Sequence, residues 1–405
     1  IAPQVAWLLG GGFEPELQAA LARMIRIIAP AVLFFGLSGI ATGLLYTLKR
    51  FTYPAFGAAV FNLGTIIAVP VLSGRLDVYS LAVGVVLGSV MQLLIQIPDL
   101  RDVRFRIGLD LAHPALRRIL HLYWPIALGL IISNMQIMID RRLASATGAS
   151  SIAWMSRATR LIQMPHGLVA VAVSLAVLPT LSRYSAQHDL DGFRRTLGLG
   201  LRLVLVLILP ATFGLLMLAQ PAVSVLFEHG RFSATDTYWT AWALRYYLLG
   251  LVFAAVDWPL NYAFYARQDT LTPALVGVFS VGVYLLVAFA LMQPLGFLGL
   301  VLADSAKHLS HALVMLLLTQ LRIGSLAELG LGRTALKALL ASGAMVIVMS
   351  LTLGGIARFV GHSGFLAGLL ALVLAGTLGA LAYLAAATLL HVEEVGLIRK
   401  LVQQR

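Results

Sequence analysis

Long apolar stretches separated by short polar loops recur along this chain. A run of about twenty mostly apolar residues is long enough to cross a bilayer as a helix. Such runs predict eleven spans, at residues 28–48, 54–73, 79–97, 121–143, 152–181, 199–219, 237–263, 273–292, 295–320, 335–357 and 363–390. Residues 1–26 read as the end of an earlier helix, a Gly-rich turn and an amphipathic lead-in. The pattern predicts an all-α polytopic membrane protein.

The amino-acid composition supports this prediction and favours membrane lipids over nucleic acid as binding partners. Hydrophobic residues make up 60% of the chain and charged residues 11%, against about 45–50% and about 25% in soluble domains. The net charge of +12 is expected to set topology and to contact anionic membrane lipids rather than nucleic acid. Cysteine is absent from the sequence, which excludes a disulfide framework and thiol chemistry.

The basic residues alternate between loops as the positive-inside rule requires. If the loop after 28–48 is cytoplasmic, the inside loops and the C-terminus hold 17 Lys and Arg residues and the outside loops hold 3. A wrong number of spans would scramble this alternation. The split therefore favours eleven spans with a cytoplasmic C-terminus.

A short internal repeat occurs at two loops of the chain. Residues 46–61 read YTLKRFTYPAFGAAVF and residues 265–279 read YARQDTLTPALVGVF. Each places Pro-Ala eight residues after a Tyr, and Pro273 follows Pro54 by 219 residues. Transporters are often built from such repeats. With this offset the first copy would begin before Ile1, so we expect about three further helices there.

Ionisable residues within the predicted spans are expensive to bury and usually face a cavity. Asp140, Arg141 and Arg142 lie near the outer end of one span, where snorkelling with a local ion pair is the alternative. Arg157 and Arg160 are three residues apart on the next span and share a face. A cationic chamber of this kind would suit an anionic phosphate, pyrophosphate or carboxylate.

Two further spans carry buried charges. Asp304, Lys307, His308 and His311 follow helical spacing near mid-membrane, so they form either a mutually neutralised ion pair or a proton or cation relay. Arg245 and Asp257 are twelve residues apart, and we expect them to lie roughly on one face. The alternative is that Arg245 snorkels outward and that Asp257 caps a helix or forms a pair.

Motifs for enzyme chemistry are missing from the sequence. It has neither a P-loop nor an HExxH or Cys/His metal pattern. We therefore predict a non-enzymatic protein without a bound metal or organic cofactor.

Several ordered motifs of the chain match those of one known family. The string 154–185 contains an Arg-Leu…Pro-x-Gly…Leu-Pro-x-Leu-Ser motif, and the matching residues are Arg160, Leu161, Pro165, Gly167, Leu178, Pro179, Leu181 and Ser182. The loops SVLFEHGRF (224–232), AFYARQDTLTP (263–273) and RFTYPAFGAAVFN (50–62) match further motifs. Together they resemble the MurJ (MviN) family of lipid II flippases, and the resemblance covers essentially the whole chain.

The resemblance implies a two-lobed exporter fold of fourteen helices, including two extra C-terminal helices. Here residues 1–120 would be the rest of the N-terminal lobe, 121–322 the second six-helix lobe, and 323–405 the extra helices and tail. The family moves the undecaprenyl-pyrophosphate-linked peptidoglycan precursor, lipid II, across the bacterial inner membrane by alternating access. We would expect a monomer that works with lipid II and other cell-wall synthesis proteins.

Residue roles follow from this resemblance as hypotheses. The pyrophosphate would be held by basic residues, namely Arg157, Arg160, Arg141, Arg142 and Arg245. A coupling cation, with Na+ and H+ both open, would involve Asp140, Asp304, Lys307, His308 and His311. Pro165 and Gly167 would permit a bend in a long helix.

The sequence also departs from the family pattern. Family members often have Asp-Arg where this chain has Thr159-Arg160, and a Thr where it has Asp304. Two alternatives therefore stay open. One is another lipid-linked oligosaccharide or multidrug exporter of the same superfamily, and the other is a degenerate membrane scaffold that does not transport.

Overall fold

The computed structural model describes residues 1–48, 50, 52–103, 134–325, 329–360 and 364–396 of the 405-residue chain. Within these ranges the chain is helical and contains no strand. The helices are α1 (Ala2–Gly10), α2 (Pro15–Thr47), α3 (Thr52–Leu76), α4 (Tyr79–Leu94), α5 (134–147), α6 (Ser151–Pro165), α7 (Ala172–Ala186), α8 (Leu190–Phe227), α9 (Ala234–Ala266), α10 (Leu271–Leu295), α11 (Phe297–Ile323), α12 (Leu331–Phe359), α13 (Phe365–Leu370) and α14 (Gly376–Leu389). A 3₁₀ turn extends α4, and π-helical turns join α6 to α7 and α13 to α14.

Ten helical segments of the described residues are long and apolar enough to cross a membrane. They correspond to ten of the eleven predicted spans. Of the remaining prediction, 121–143, residues 121–133 lie outside the described residues and the rest belongs to α5. The first span begins earlier than predicted because residues 15–27 are helical too, with Pro15 and Glu16 in the first turn, where proline and an acidic residue both favour a helix start.

The chain divides into two compact units, Ile1–Ala149 and Ser150–Arg405. Helix α5 belongs to the first unit, whereas the sequence prediction assigned residues 121–143 to the second lobe. The predicted boundary at residue 120 lies outside the described residues. Unit 2 holds α6 to α14 and therefore includes both the predicted second lobe and the C-terminal helices. The division into lobes stays a prediction.

In unit 1, α3 and α4 approach each other at glycines. A Cβ atom added at Gly64 would lie 2.7 Å from the Cα atom of Gly88, and one added at Gly88 would lie 2.5 Å from the Phe61 carbonyl oxygen. Small residues allow this close backbone contact, which replaces hydrophobic driving force between helices in lipid.

In unit 2, the C-terminal helices complete the hydrogen bonding of α8. Pro210 cannot donate a backbone hydrogen bond, so the carbonyl of Val206 one turn earlier lacks its usual helical partner. The Tyr383 hydroxyl of α14 donates to this carbonyl over 2.6 Å. Around this bond, side chains of α8, α12 and α14 form a buried apolar cluster that includes Leu209, Met345 and Met349.

An ion pair one helical turn away on α8 holds the same assembly. Arg202 of α8 donates to Glu394 over 2.6 Å, and the Glu394 side chain is only 3% exposed. Arg202 also donates to the Leu329 carbonyl before α12. One guanidinium thus connects α8 to segments on either side of the C-terminal helices.

The two copies of the internal repeat carry ion pairs of opposite polarity. In the first copy Arg50 donates to Asp102 over 3.0 Å. In the second copy Arg322 donates to Asp269 over 2.7 Å. Asp269 follows Arg50 by 219 residues (269 − 50) and Arg322 follows Asp102 by 220 (322 − 102). In each copy the loop before a proline-started helix is therefore joined to the end of the third helical segment.

The loop in the second copy has an additional local bond. Thr272 donates to Asp269 from both its hydroxyl and its backbone amide. The hydroxyl bond first, then the amide bond and the Arg322 charge, hold the pKa of the Asp269 carboxyl below its ordinary value. This carboxylate both caps α10 and pairs with α11.

Reversing the pair of the first copy tests whether opposite charge is its essential property. We expect Arg50→Asp to lower the thermal stability of the protein in detergent and the double variant Arg50→Asp/Asp102→Arg to restore most of the loss. The coupling free energy should be about 0.2–1 kcal/mol, because both side chains are partly exposed. Arg75→Asp, in an exposed turn of the same unit, is the control. Additive losses in the double variant would contradict a paired role.

Candidate functional site

Two predicted anion-binding arginines lie on α6 in different surroundings. The guanidinium of Arg157 is half-buried and lies 4.8 Å from the centre of the Phe232 ring. Phe232 belongs to the loop before α9, whose Asp236 accepts a 2.8 Å hydrogen bond from the Trp154 indole. Arg160 lies one turn further along, is exposed, and makes no ion pair with a described residue. Arg157 is thus held by packing, while Arg160 is available to an anion.

The charged group on α5 is part of the packing of unit 1. Arg142 lies 4.9 Å from the centre of the Trp7 ring of α1. Ser145 donates to the Arg142 carbonyl over 2.8 Å and accepts from the Gly12 amide over 3.1 Å. Asp140 and Arg141 are half-buried on the same helix, and neither is an isolated charge. Arg142 therefore has a structural contact that the sequence did not reveal.

The predicted bend coincides with an irregular helical turn. Pro165 ends α6, and residues His166–Val171 form a π-helical turn before α7. Pro165 cannot donate to the carbonyl of Leu161, and π-turns often occur at functional sites. A Cβ atom added at Gly167 would meet nothing within 4 Å. The geometry is compatible with a hinge at Pro165 and Gly167, and that role stays a prediction.

The charges on α11 form a neutral pair. Lys307 donates to Asp304 over 2.5 Å, and the two side chains are 15% and 26% exposed. The His308 ring lies 3.6 Å from the other oxygen of Asp304. Of the two alternatives for this helix, the structure forms the mutually neutralised pair at Asp304. Asp304 and Lys307 cancel each other's charge.

A second buried pair joins α11 to α9. His311 Nδ1 lies 2.6 Å from an oxygen of Asp257, and each side chain is 13% exposed. Asn261 donates to the other Asp257 oxygen over 3.0 Å. His166, at the start of the π-turn, lies 3.4 Å from the Ala254 carbonyl one turn before Asp257. Two helices, α9 and α11, thus meet at one carboxylate, and the π-turn contacts α9 one turn away.

The expectation that Arg245 and Asp257 share a face of α9 is wrong. Twelve residues advance an α-helix by about 120° beyond three full turns, so the two side chains diverge. Asp257 faces His311 of α11. Arg245 instead lines a cavity between α8, α9, α12 and α13, with its guanidinium 5.1 Å from the centre of the Trp242 ring. The proposed grouping of Arg245 with the other arginines therefore finds no support in this geometry.

These observations define the class of protein. Ten candidate spans among the described residues, a carbonyl that proline leaves free and a neighbouring helix satisfies, and charged pairs within the helices describe a polytopic helical membrane protein. The chain belongs to the MurJ family, because the family model described as "Lipid II flippase MurJ" matches residues 1–375. It is a multi-pass protein of the bacterial inner membrane.

Curated relatives agree with this assignment. The chain is 31% identical over 323 residues to a protein of Burkholderia cenocepacia named lipid II flippase MurJ, covering 77% of this chain and 63% of the relative. It is also 31% identical over 303 residues to a probable lipid II flippase MurJ of Vibrio cholerae, covering 74% and 58%. The chain thus spans about six tenths of the length of these relatives.

A solved structure shares the fold. The chain superimposes with a TM-score of 0.80 on a structure titled "Lipid II flippase MurJ, inward closed conformation", at 24% sequence identity. The match covers 95% of this chain and 77% of the other. The expected fold class, an all-α exporter-like membrane fold, is confirmed.

The contact between Asp257 and His311 was not predicted from the sequence. Pairing of Asp257 was one of the two alternatives for that residue, but His311 was grouped with Asp304 on α11, and only the packing of α9 against α11 brings His311 to Asp257. The available signal was the presence of an ionisable residue inside a span, which is a functional hypothesis by default. The sequence could not predict which residue pairs with His311, because the pairing depends on how α9 and α11 are rotated against each other.

Removing one or both charges tests whether Asp304 and Lys307 form a structural pair. Asp304→Asn leaves the Lys307 ammonium uncompensated, and we expect it to lower the free energy of unfolding by up to about 3–5 kcal/mol. Asp304→Leu/Lys307→Met removes both charges and should recover most of the loss. Thermal denaturation in detergent measures both, with Glu393→Gln, at an exposed carboxylate of the same unit, as control. A double variant no more stable than Asp304→Asn would contradict the pair.

Proposed function

We propose that this chain takes part in moving lipid II, the undecaprenyl-pyrophosphate-linked peptidoglycan precursor, across the bacterial inner membrane. Membership of the MurJ family along residues 1–375 is the observation that carries this proposal. The relatives named above bear the name of lipid II flippases. We assign the chain a transport step and no catalytic step.

Within unit 2, α6 offers the chemistry that a pyrophosphate requires. A guanidinium presents a planar set of donors that can bind two phosphate oxygens at once. Arg160 is exposed and has no described ion-pair partner, and Arg157 adds a second positive charge on the same helix. We assign the main anion contact to Arg160 and a supporting electrostatic role to Arg157.

Neutralising the two arginines tests this assignment. Arg157→Ala/Arg160→Ala should weaken binding of lipid II to the purified protein by at least about tenfold, because charge-assisted hydrogen bonds contribute about 1.5–3 kcal/mol. Arg160→Ala alone should account for most of the effect. Arg75→Ala, which removes an exposed charge from unit 1, is the control. Unchanged lipid II affinity in the double variant would contradict the proposal.

The proposal also covers the orientation of the chain in the membrane, its oligomeric state and its conformational change. We place the C-terminus in the cytoplasm because 17 basic residues then lie in inside loops and 3 in outside loops. We also propose that the protein acts as a monomer alongside other cell-wall synthesis proteins. Bending at the π-turn His166–Val171 would accompany alternating access.

We also propose that a proton, rather than a metal ion, couples to this transport, and that Asp257 and His311 bind it. Asp304 is already neutralised by Lys307 at 2.5 Å. Asp257 paired with neutral His311 carries one net negative charge, and the same pair with a bound proton carries none. Net charge is costly inside a membrane, so a bound proton stabilises the packed arrangement of α9 and α11.

Three further titratable side chains lie on the elements around this pair. His166 of the π-turn lies 3.4 Å from the Ala254 carbonyl one turn before Asp257, His308 lies one turn before His311 on α11, and Tyr265 lies two turns after Asp257 on α9. Asn261 donates a hydrogen bond to Asp257. Loss of the proton would leave a buried carboxylate whose described hydrogen-bonding neighbours are neutral, which favours separation of α9 and α11 and entry of water.

Transport in proteoliposomes distinguishes the coupling ions. We expect an imposed pH gradient, and not a Na+ gradient, to accelerate lipid II transport. Asp257→Asn and His311→Gln should abolish the acceleration, while Asp304→Leu/Lys307→Met should retain it. Acceleration by Na+ alone, or loss of proton dependence only in the Asp304 and Lys307 variant, would contradict a proton site at Asp257.

A further inference from the structure

A cavity of about 390 Å³ lies between α8, α9, α12 and α13 of unit 2. Its volume falls within the roughly 300–1,000 Å³ range of small-molecule sites. Leu353, Ile356 and Ala357 of α12 contribute apolar wall, and two charged residues, Arg245 and Glu228, line the same space. The charge-based topology places this cavity at the outside ends of the helices.

The Arg245 guanidinium in this cavity lacks a neighbouring anion among the described residues. It is half-buried, and no carboxylate oxygen of the described residues lies within 4.0 Å of its guanidinium. The Trp242 ring offers only a cation–π contact at 5.1 Å. Arg245 lies eleven positions after Ala234, the first residue of α9, about 16 Å along the helix axis. A cation at this depth is costly unless an anion or water compensates it.

Glu228 supplies the opposite charge at a shallower level. It immediately follows Phe227, the last residue of α8, and is exposed. The Thr237 hydroxyl donates to its carboxylate over 2.7 Å and fixes it at the cavity. Glu228 and Arg245 line one cavity without forming an ion pair with each other. The cavity thus presents a cation deep inside, an anion near its mouth and an apolar wall alongside.

This order of charges matches one class of lipid headgroup. In a phospholipid with an ethanolamine headgroup, the phosphate lies next to the glycerol and the primary ammonium lies further out towards water. A headgroup seated in the cavity would bring its phosphate to Arg245 and its ammonium to Glu228, both through charge-assisted hydrogen bonds. Its acyl chains would follow the apolar wall of α12.

We propose that the cavity between α8, α9, α12 and α13 is a binding site for a zwitterionic amine-bearing phospholipid, with Arg245 binding the phosphate and Glu228 the ammonium. Such a lipid would occupy the interface between the C-terminal helices and α8 and α9. It would satisfy the Arg245 guanidinium, which the described protein groups leave without an anion.

Native mass spectrometry of the full chain can measure lipid retention with three probes. All three lipids carry a phosphate. Phosphatidylethanolamine adds an ammonium with N–H donors, phosphatidylcholine adds an ammonium without N–H donors, and phosphatidylglycerol has no ammonium. We expect phosphatidylethanolamine to be retained at least about tenfold better than the other two lipids, because only it makes both charge-assisted contacts.

Single substitutions separate the two contacts. Arg245→Gln should reduce retention of all three lipids, whereas Glu228→Gln should lower phosphatidylethanolamine to the level of phosphatidylglycerol and leave phosphatidylglycerol unchanged. Arg231→Gln, at an exposed position outside the cavity, is the matched control. Equal retention of phosphatidylethanolamine and phosphatidylglycerol by the unsubstituted chain would overturn the zwitterionic assignment. Unchanged retention in Arg245→Gln would overturn the site.

A cavity-filling variant guards against loss of folding. Ala357→Leu keeps both charges and places extra carbon atoms in the cavity, so it should displace phosphatidylethanolamine while the protein keeps its helical circular dichroism spectrum. If Arg245→Gln fails to fold, this variant alone decides the proposal. Full lipid retention in folded Ala357→Leu would contradict binding in this cavity.

Discussion

The structure depends on one constraint: a polar group inside an apolar layer must find its partner within the protein, because lipid tails offer none. Two bonds show how polar groups meet it. Tyr383 donates to the Val206 carbonyl that Pro210 leaves without a helical partner. The Ser305 hydroxyl of α11 finds its own acceptor in the Tyr246 carbonyl of α9. Each bond also connects one helix to another, so satisfying polar groups contributes to which side chains meet.

The ion pairs of the internal repeat explain why the repeat is hard to recognise from its residues. An ion pair needs opposite charges at its two ends but not a particular order, and the two copies use opposite orders, Arg50 with Asp102 and Asp269 with Arg322. A residue-by-residue comparison scores both positions as mismatches. The shared Tyr and Pro-Ala positions gave only a weak signal, whereas the paired loops show that both copies make the same connection.

The spans were predictable because membrane insertion depends mainly on summed hydropathy and length, which survive small errors at the ends. The start of α2 at Pro15 was missed because its first turns are polar and lie outside the apolar window. The partners of individual side chains were harder to predict from the sequence. Asp304 and Lys307 were readable because they are three residues apart on one helix, whereas the pairing of His311 with Asp257 depends on how α9 and α11 are rotated.

The two buried pairs of α11 differ in a way that matters for transport. Asp304 and Lys307 carry opposite charges on one helix, so they form a neutral pair whether α11 packs against α9 or separates from it. A proton bound between His311 and Asp257, by contrast, decides whether that pair carries a net charge. Since burial penalises net charge, the coupling proposed above makes the free energy of bringing α9 and α11 together depend on that proton. A permanent internal cation such as Lys307 cannot provide this dependence, which is why we place the coupling at Asp257 and His311.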